Sequence, residues 1–213
     1  MSEPDGRGPR NLALIAVVCE GSLAVLAWLF GLLLVRPPLG QIHLSGAAVG
    51  WGLAATLPLL LFLWVSVRWP MGPLGQVLRI VDDVIVPLFA SLSLFELGVI
   101  SLSAGVGEEL LFRGVLQEGL QQWLGMPAVA LVAASVVFGL MHAINRAYVL
   151  LASVIGIYLG GLWLATDNLL PPIVAHAAYD FFALVYLVRW RRTAAPSPAD
   201  PAATSGPACE TAP

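Results

Sequence analysis

The chain has 213 residues, of which 59% are hydrophobic and only 11% charged, and its mean hydropathy of +0.87 lies far from the balance of a water-soluble domain. Its formal net charge is -3, from 10 basic and 13 acidic residues, so it carries no basic field of the kind that nucleic-acid binding requires. Lipid is the solvent for most of the chain, and nucleic acid is excluded as a partner.

Residues 1–10 are polar and rich in Gly, Pro and Arg, and read as a disordered N-terminal tail. Apolar stretches then predict spans over 12–35, 47–67, 84–104, 128–145, 148–166 and 171–190, each about long enough to cross a hydrocarbon core of roughly 30 Å as a helix. Pro37, Pro38, Pro70, Pro73, Pro127, Pro171 and Pro172 fall near the breaks. Open strand edges find no partners in lipid, so the fold class is all-α: a polytopic transmembrane bundle of about six to eight helices that forms one domain over residues 11–190. Residues 191–213, dominated by Ala, Pro, Ser and Thr, read as a second disordered tail.

The segment from Asn11 to Val35 is long for a signal peptide and includes Glu20, so it reads as a retained first helix. Snorkelling or an internal partner would satisfy Glu20. Cys19 and Cys209 lie in very different surroundings, show no metal or redox spacing, and read as incidental. His43, in the first loop, reads as an interfacial residue. Gly156 and Gly160, extended by Gly161, have the spacing that lets helices approach closely, and Met141, Tyr158 and Tyr179 read as core or rim residues.

The stretch from Gly105 to Gln122 differs, because Glu108, Glu109, Arg113, Gln117, Glu118, Gln121 and Gln122 interrupt its apolar positions. One straight helix over 84–122 would run to nearly 60 Å, so a break is expected near Ser101–Gly107. Arginine is the only basic residue type. Arg189, Arg191 and Arg192 argue for a cytoplasmic C-terminus, and Arg68 with Arg79 makes the same claim for its loop. The two claims agree only for an even number of crossings between them, so the region around 105 is expected not to cross fully.

Glu109 and Arg113 stand four residues apart on one helical face and are suited to pair, which leaves Glu108 without a local partner. His142 follows Phe138 by four residues in one apolar segment, and His176 precedes Asp180 by four in another. That spacing lets Asp180 orient the His176 imidazole and fix its tautomer. Three helices would then supply one pocket rich in carboxylate and imidazole. Peptide hydrolysis needs an activated water, a group that orients it, and donors for the charge on the carbonyl oxygen. Glu108 would take the water proton, His142 would hold the water, and His176 would face the carbonyl oxygen. Ser101, Ser103 and Ser135 have no His at a telling offset, so a serine nucleophile reads less well.

These motifs resemble the CAAX protease and bacteriocin-processing family of intramembrane proteases, also called the Abi family, which includes the prenyl-protein endopeptidase of the endoplasmic reticulum. The paired glutamates with an arginine match Glu108, Glu109 and Arg113, Phe-x-x-x-His matches Phe138 to His142, and His-x-x-x-Asn-or-Asp matches His176 to Asp180. The resemblance implies that Glu108 activates water with His142, that Glu109 and Arg113 support it, and that His176 with residue 180 forms the oxyanion side. The eukaryotic branch has Asn where this chain has Asp180, and an ionised Asp accepts but does not donate, so orienting His176 is its assignment here. The resemblance favours a glutamate mechanism with no cofactor and no metal. Its rival is a zinc site built from Glu108, His142 and His176, although the His-Glu-x-x-His spacing is absent.

The implied substrate is a membrane-associated or lipidated peptide or protein, and membrane lipid is the surrounding partner. An Arg-only, Ala- and Pro-rich chain looks bacterial, which gives a bacterial cytoplasmic membrane with the active site facing the cytoplasm. The C-terminal Cys209–Pro213 does not form a prenylation box. A non-catalytic immunity or scaffold protein and a proton-coupled transporter are the other classes of function compatible with polar residues at membrane depth.

Overall fold

The computed structural model describes residues 8–34 and 37–191 of the chain. Most of the two expected tails, residues 1–7 and 192–213 with Arg192 and Cys209, lies outside the described residues, as does Val35 at the end of the first expected span. Among the described residues the chain forms α1 (Gly8–Leu34), α2 (Gly46–Arg68), α3 (Gly72–Phe89), α4 (Leu94–Leu124), α5 (Pro127–Met141), α6 (Arg146–Thr166) and α7 (Leu170–Trp190), with a short 3-10 turn at Pro38–Gln41.

Within these bounds, α1, α2, α6 and α7 are each long and apolar enough to cross a membrane, and α3 with α4 passes the same test only as a pair bent by 118°. Four or five spans therefore stand where the sequence suggested six or more. Large apolar side chains such as Leu14, Leu33, Trp51, Leu57 and Leu150 are exposed on the outer faces, where a bilayer covers them. The protein is an integral membrane helical bundle. Helix α5 is apolar but has only 15 residues, about 22 Å against a hydrocarbon core of about 30 Å.

The helices pair as α1 with α4, α4 with α7, α2 with α7 and α5 with α6. Helix α4 lies at the centre because its small residues admit its neighbours. A Cβ on Gly105 would stand 2.8 Å from the Cβ of Ala177 on α7, and a Cβ on Gly107 would stand 2.3 Å from the backbone oxygen of Glu20 on α1. Only hydrogen fits at either position.

Two expectations are corrected here. The span over 84–104 is divided, because the chain turns between Phe89 and Leu94. Ser93 then opens α4 through a capping box: its Oγ accepts from the Glu96 backbone N–H at 3.2 Å, and Glu96 Oε2 accepts from the Ser93 backbone N–H at 2.7 Å. The break expected at Ser101–Gly107 is absent, and α4 runs straight through it. The sharp turn at Ala90–Ser93 already relieves the excess length, and the glycines serve packing instead. Both bent helices also widen locally into π-helix, at Val81–Ile85 in α3 and Phe112–Gln117 in α4. In α3 the Val86 N–H bonds to Val81 O, five residues back, and Pro87, which has no N–H to continue the ladder, follows directly.

Replacing Gly107 with Ala is expected to force α1 from α4 and to lower stability by about 1–3 kcal/mol. Gly98→Ala, whose new methyl would meet Phe181 at 3.7 Å, is expected to be neutral or slightly stabilising. Thermal unfolding of the two variants in detergent reads the difference.

Candidate active site

The interior of the site is organised by Glu109, which is fully buried on α4. Its Oε1 accepts from Arg113 Nη1 at 2.8 Å and from His176 Nδ1 on α7, also at 2.8 Å. Arg113 is itself 1% exposed. Its Nη2 donates to Gly156 O on α6 at 3.0 Å, and its guanidinium carbon lies 4.6 Å from the centroid of the Phe138 ring on α5. One turn further along α4, Gln117 Nε2 donates to Gly160 O at 3.3 Å. The two glycines read as a packing pair do more than let helices approach. A Cβ on Gly160 would lie 2.5 Å from Gln117 Oε1, so the bare backbone is what allows these buried side chains to reach its carbonyls.

Adjacent positions on a helix point about 100° apart, so Glu108 leaves the interior that Glu109 enters and faces a cavity. It is 7% exposed, and its Oε2 has no hydrogen-bond partner. His142 Nε2 lies 3.7 Å from Glu108 Oε1, and His176 Nε2 lies 3.7 Å from Glu108 Oε2. Each imidazole is turned this way by its other nitrogen. The His176 Nδ1–H is given to Glu109. The His142 Nδ1–H is donated to Phe138 O at 2.9 Å, because a carbonyl only accepts, and that leaves a lone pair on Nε2 of the neutral ring.

His142 owes its position to the end of α5. It terminates that helix, its backbone N–H reaches Gly139 O, and its ring occupies a last-turn carbonyl that would otherwise lack a partner. Three residues on, Asn145 Oδ1 accepts from the Tyr148 backbone N–H at 2.8 Å and opens α6. The Tyr148 ring consequently stacks on His142, with centroids 6.4 Å apart and planes inclined by 17°. Phe138 is the hub beneath, 4.7 Å from the His142 ring, 6.1 Å from the His176 ring and 5.0 Å from Phe112.

All six residues singled out in the sequence therefore meet at one place. Asp180 contacts His176 as the spacing suggested, and Glu109 is a second, nearer partner that the spacing did not offer. The His176 Nδ1 points to the interior, where Glu109 is its partner, whereas Asp180 Oδ2 stands 3.5 Å from Nε2 with its side chain partly open. Ser101 and Ser135 donate to carbonyls one turn back in their own helices, as unreactive serines in membrane helices do. His43 is exposed and remote, its backbone N–H and carbonyl clasped by Asn168.

Sequence reasoning missed three residues. Glu20, Tyr148 and Tyr179 line the same cavity, of about 380 Å³, as Glu108, His142 and Asp180. An acid inside an apolar span was a signal for Glu20, whereas nothing local marked either tyrosine. A second cavity, of about 150 Å³, joins Glu108, Phe138, His142 and His176 to the same tyrosines.

A zinc triad would need Glu108, His142 and His176 to converge on one point. Among the described residues no three His, Cys, Asp or Glu side chains are gathered so as to hold a metal ion. The His176 Nε2 lies 3.7 Å from Glu108 Oε2 and 3.5 Å from Asp180 Oδ2. The residues present do not fit the ion.

Residues 90–182 match the family model described as Type II CAAX prenyl endopeptidase Rce1-like. The match covers less than half of the chain, contains all six polar residues named above and leaves out α1, α2 and α3. No curated protein and no solved structure matches the chain.

Removing either partner of the Glu109–Arg113 pair strands a buried charge, which is expected to cost about 3–5 kcal/mol. Glu109→Leu with Arg113→Leu is expected to cost clearly less than the sum of the single changes, a coupling that a double-mutant cycle on thermal stability measures.

Proposed function

We propose that this chain, whose residues 90–182 belong to the Rce1-like CAAX protease family, is an intramembrane endopeptidase in which Glu108 and His142 activate water and His176 receives the charge on the scissile carbonyl. The observation that carries this reading is a buried carboxylate, one oxygen of which lacks a hydrogen-bond partner, flanked by two imidazoles, each with Nδ1 committed elsewhere and Nε2 turned toward it.

A gap of 3.7 Å between Glu108 Oε1 and His142 Nε2 is too wide for a direct hydrogen bond. A water oxygen about 2.8 Å from each atom fits to the side of the line joining them. One water proton passes to Glu108 while the other is held by the His142 lone pair, and the water oxygen attacks the carbonyl carbon. The resulting oxyanion accepts a hydrogen bond from His176 Nε2. Because the His176 Nδ1–H is already given to Glu109, the ring must hold both protons in that step. When the carbon–nitrogen bond breaks, Glu108 returns its proton to the departing nitrogen, leaving an acid and an amine. Asp180 Oδ2 lies 3.5 Å from the same Nε2, and a carboxylate there accepts from the ring rather than donating to the oxyanion.

The bent pair also bears on topology. Arg68 closes α2 and Arg79 lies inside α3; with the bent pair counted as one crossing, α6 and α7 bring the qualifying crossings after Arg68 to three, an odd number. The larger cluster, Arg189, Arg191 and Arg192, is the better guide, and it supports a cytoplasmic C-terminus and a chamber opening to the cytoplasm. The substrate is a membrane-associated or lipidated peptide, and the setting is a bacterial cytoplasmic membrane.

In vesicles containing a quenched fluorescent peptide with a prenylated cysteine, Glu108→Gln is expected to lower turnover by at least about 10²-fold while the thermal transition persists. Chelator treatment is expected to leave the wild-type rate unchanged. Activity surviving in Glu108→Gln, or lost on chelation, would remove the mechanism.

A further inference from the structure

Glu20 lies outside the segment that matches the family, yet the fold brings it to the same chamber as the reactive groups. The contact that does so is tight, since the Glu20 backbone oxygen lies where a Cβ on Gly107 would be, next to Glu108 in sequence. The Glu20 side chain is half-buried, and its Oε2 is buried without a hydrogen-bond partner. Asp180 and Glu108 line the same chamber, and Glu108, more than nine-tenths buried, likewise has an oxygen without a hydrogen-bond partner.

Among the described residues, the bases in contact with these acids are His142 and His176, which meet Glu108 and Asp180. Arg113 does not line the chamber and is consumed by Glu109, Gly156 and Phe138. His176 Nε2 stands 3.7 Å from Glu108 and 3.5 Å from Asp180, and His142 faces Glu108 through Nε2. The remaining wall is almost wholly apolar, with Leu63, Val77, Val81, Ile85 and Leu184 among its side chains. The chamber thus combines an excess of carboxylate at the reactive end with a greasy wall running away from it.

We propose that Glu20, with Asp180, forms a subsite that selects a cationic side chain, arginine or lysine, flanking the scissile bond of a substrate whose neighbouring segment is apolar. Burial of the guanidinium or ammonium against Glu20 supplies the donors that its Oε2 lacks, and the apolar wall receives the adjoining residues. The cationic residue specifies the substrate, and Glu108 remains the group that hydrolyses it. This inference rests on the endopeptidase reading for its cleavage step but not for its binding step.

The test uses full-length protein in vesicles and peptides that differ only in carrying arginine or its neutral isostere citrulline at either residue beside the scissile bond. A second pair has a ketomethylene group in place of that bond, so binding is read without turnover. Wild type is expected to prefer arginine over citrulline at least about tenfold in both kcat/KM and binding. Glu20→Gln is expected to reduce that ratio to near one, and Glu20→Asp to restore most of it. Because the Arg-to-citrulline ratio is internal to each variant, a change in the amount of folded protein does not move it. Equal binding of the two peptides by wild type, or a ratio untouched by Glu20→Gln, overturns the subsite. Preferential binding of arginine with no cleavage of any peptide would sustain the subsite and overturn the endopeptidase instead.

Discussion

The buried carboxylate of Glu109 is the constraint on which the rest of the site depends. One of its oxygens takes two charge-assisted hydrogen bonds, from Arg113 within α4 and from His176 on α7, and through Arg113 it reaches the α6 backbone and the Phe138 ring on α5. Four helices are thereby fixed about one atom. A lone ion at this depth would be expensive, and the pairing is what makes it tolerable. Fixing His176 by Nδ1 settles which nitrogen faces the chamber, so the non-reactive glutamate determines what the reactive one meets. Two neighbouring acids with the same chemistry are divided into a structural and a reactive role by the angle between successive side chains on a helix.

Much of the fold was legible because lipid leaves few choices. Runs of apolar residues closed by proline or polar groups gave α1, α2, α6 and α7 to within a few residues. The failure at 84–104 has a specific cause: hydropathy does not register a turn whose flanks are equally apolar, and Ser93 with Glu96, the cap that starts α4, occupies a single helical turn. Glycines at 105 and 107 were equally ambiguous, since a residue that loosens a helix and one that admits a neighbour look the same until the neighbour is known.

In the site, the contacts legible beforehand were those that one helix makes with itself. The spacing of four residues joined Glu109 to Arg113, Phe138 to His142 and His176 to Asp180, and each of these pairs is in contact. Contacts between helices were not legible. Glu109 with His176, Arg113 with Gly156 and Tyr148 over His142 depend on how α4, α5, α6 and α7 cross, which no spacing encodes. The local rule gave an incomplete account of His176 for this reason: it offered Asp180, which is in contact with the ring, but not the nearer oxygen, which belongs to another helix.

Helix α5 ends at His142 after 15 residues, leaving roughly 8 Å of an average hydrocarbon core unspanned at that point. A bilayer that thins or dips to meet the short helix would bring the aqueous boundary closer to the imidazole. A hydrolase needs water as co-substrate in a medium that excludes it, and the shortfall of one helix would shorten that path. Thicker, sterol-like or long-chain bilayers would lengthen that path, so the membrane itself becomes a variable in the rate, acting through depth rather than through any lipid contact.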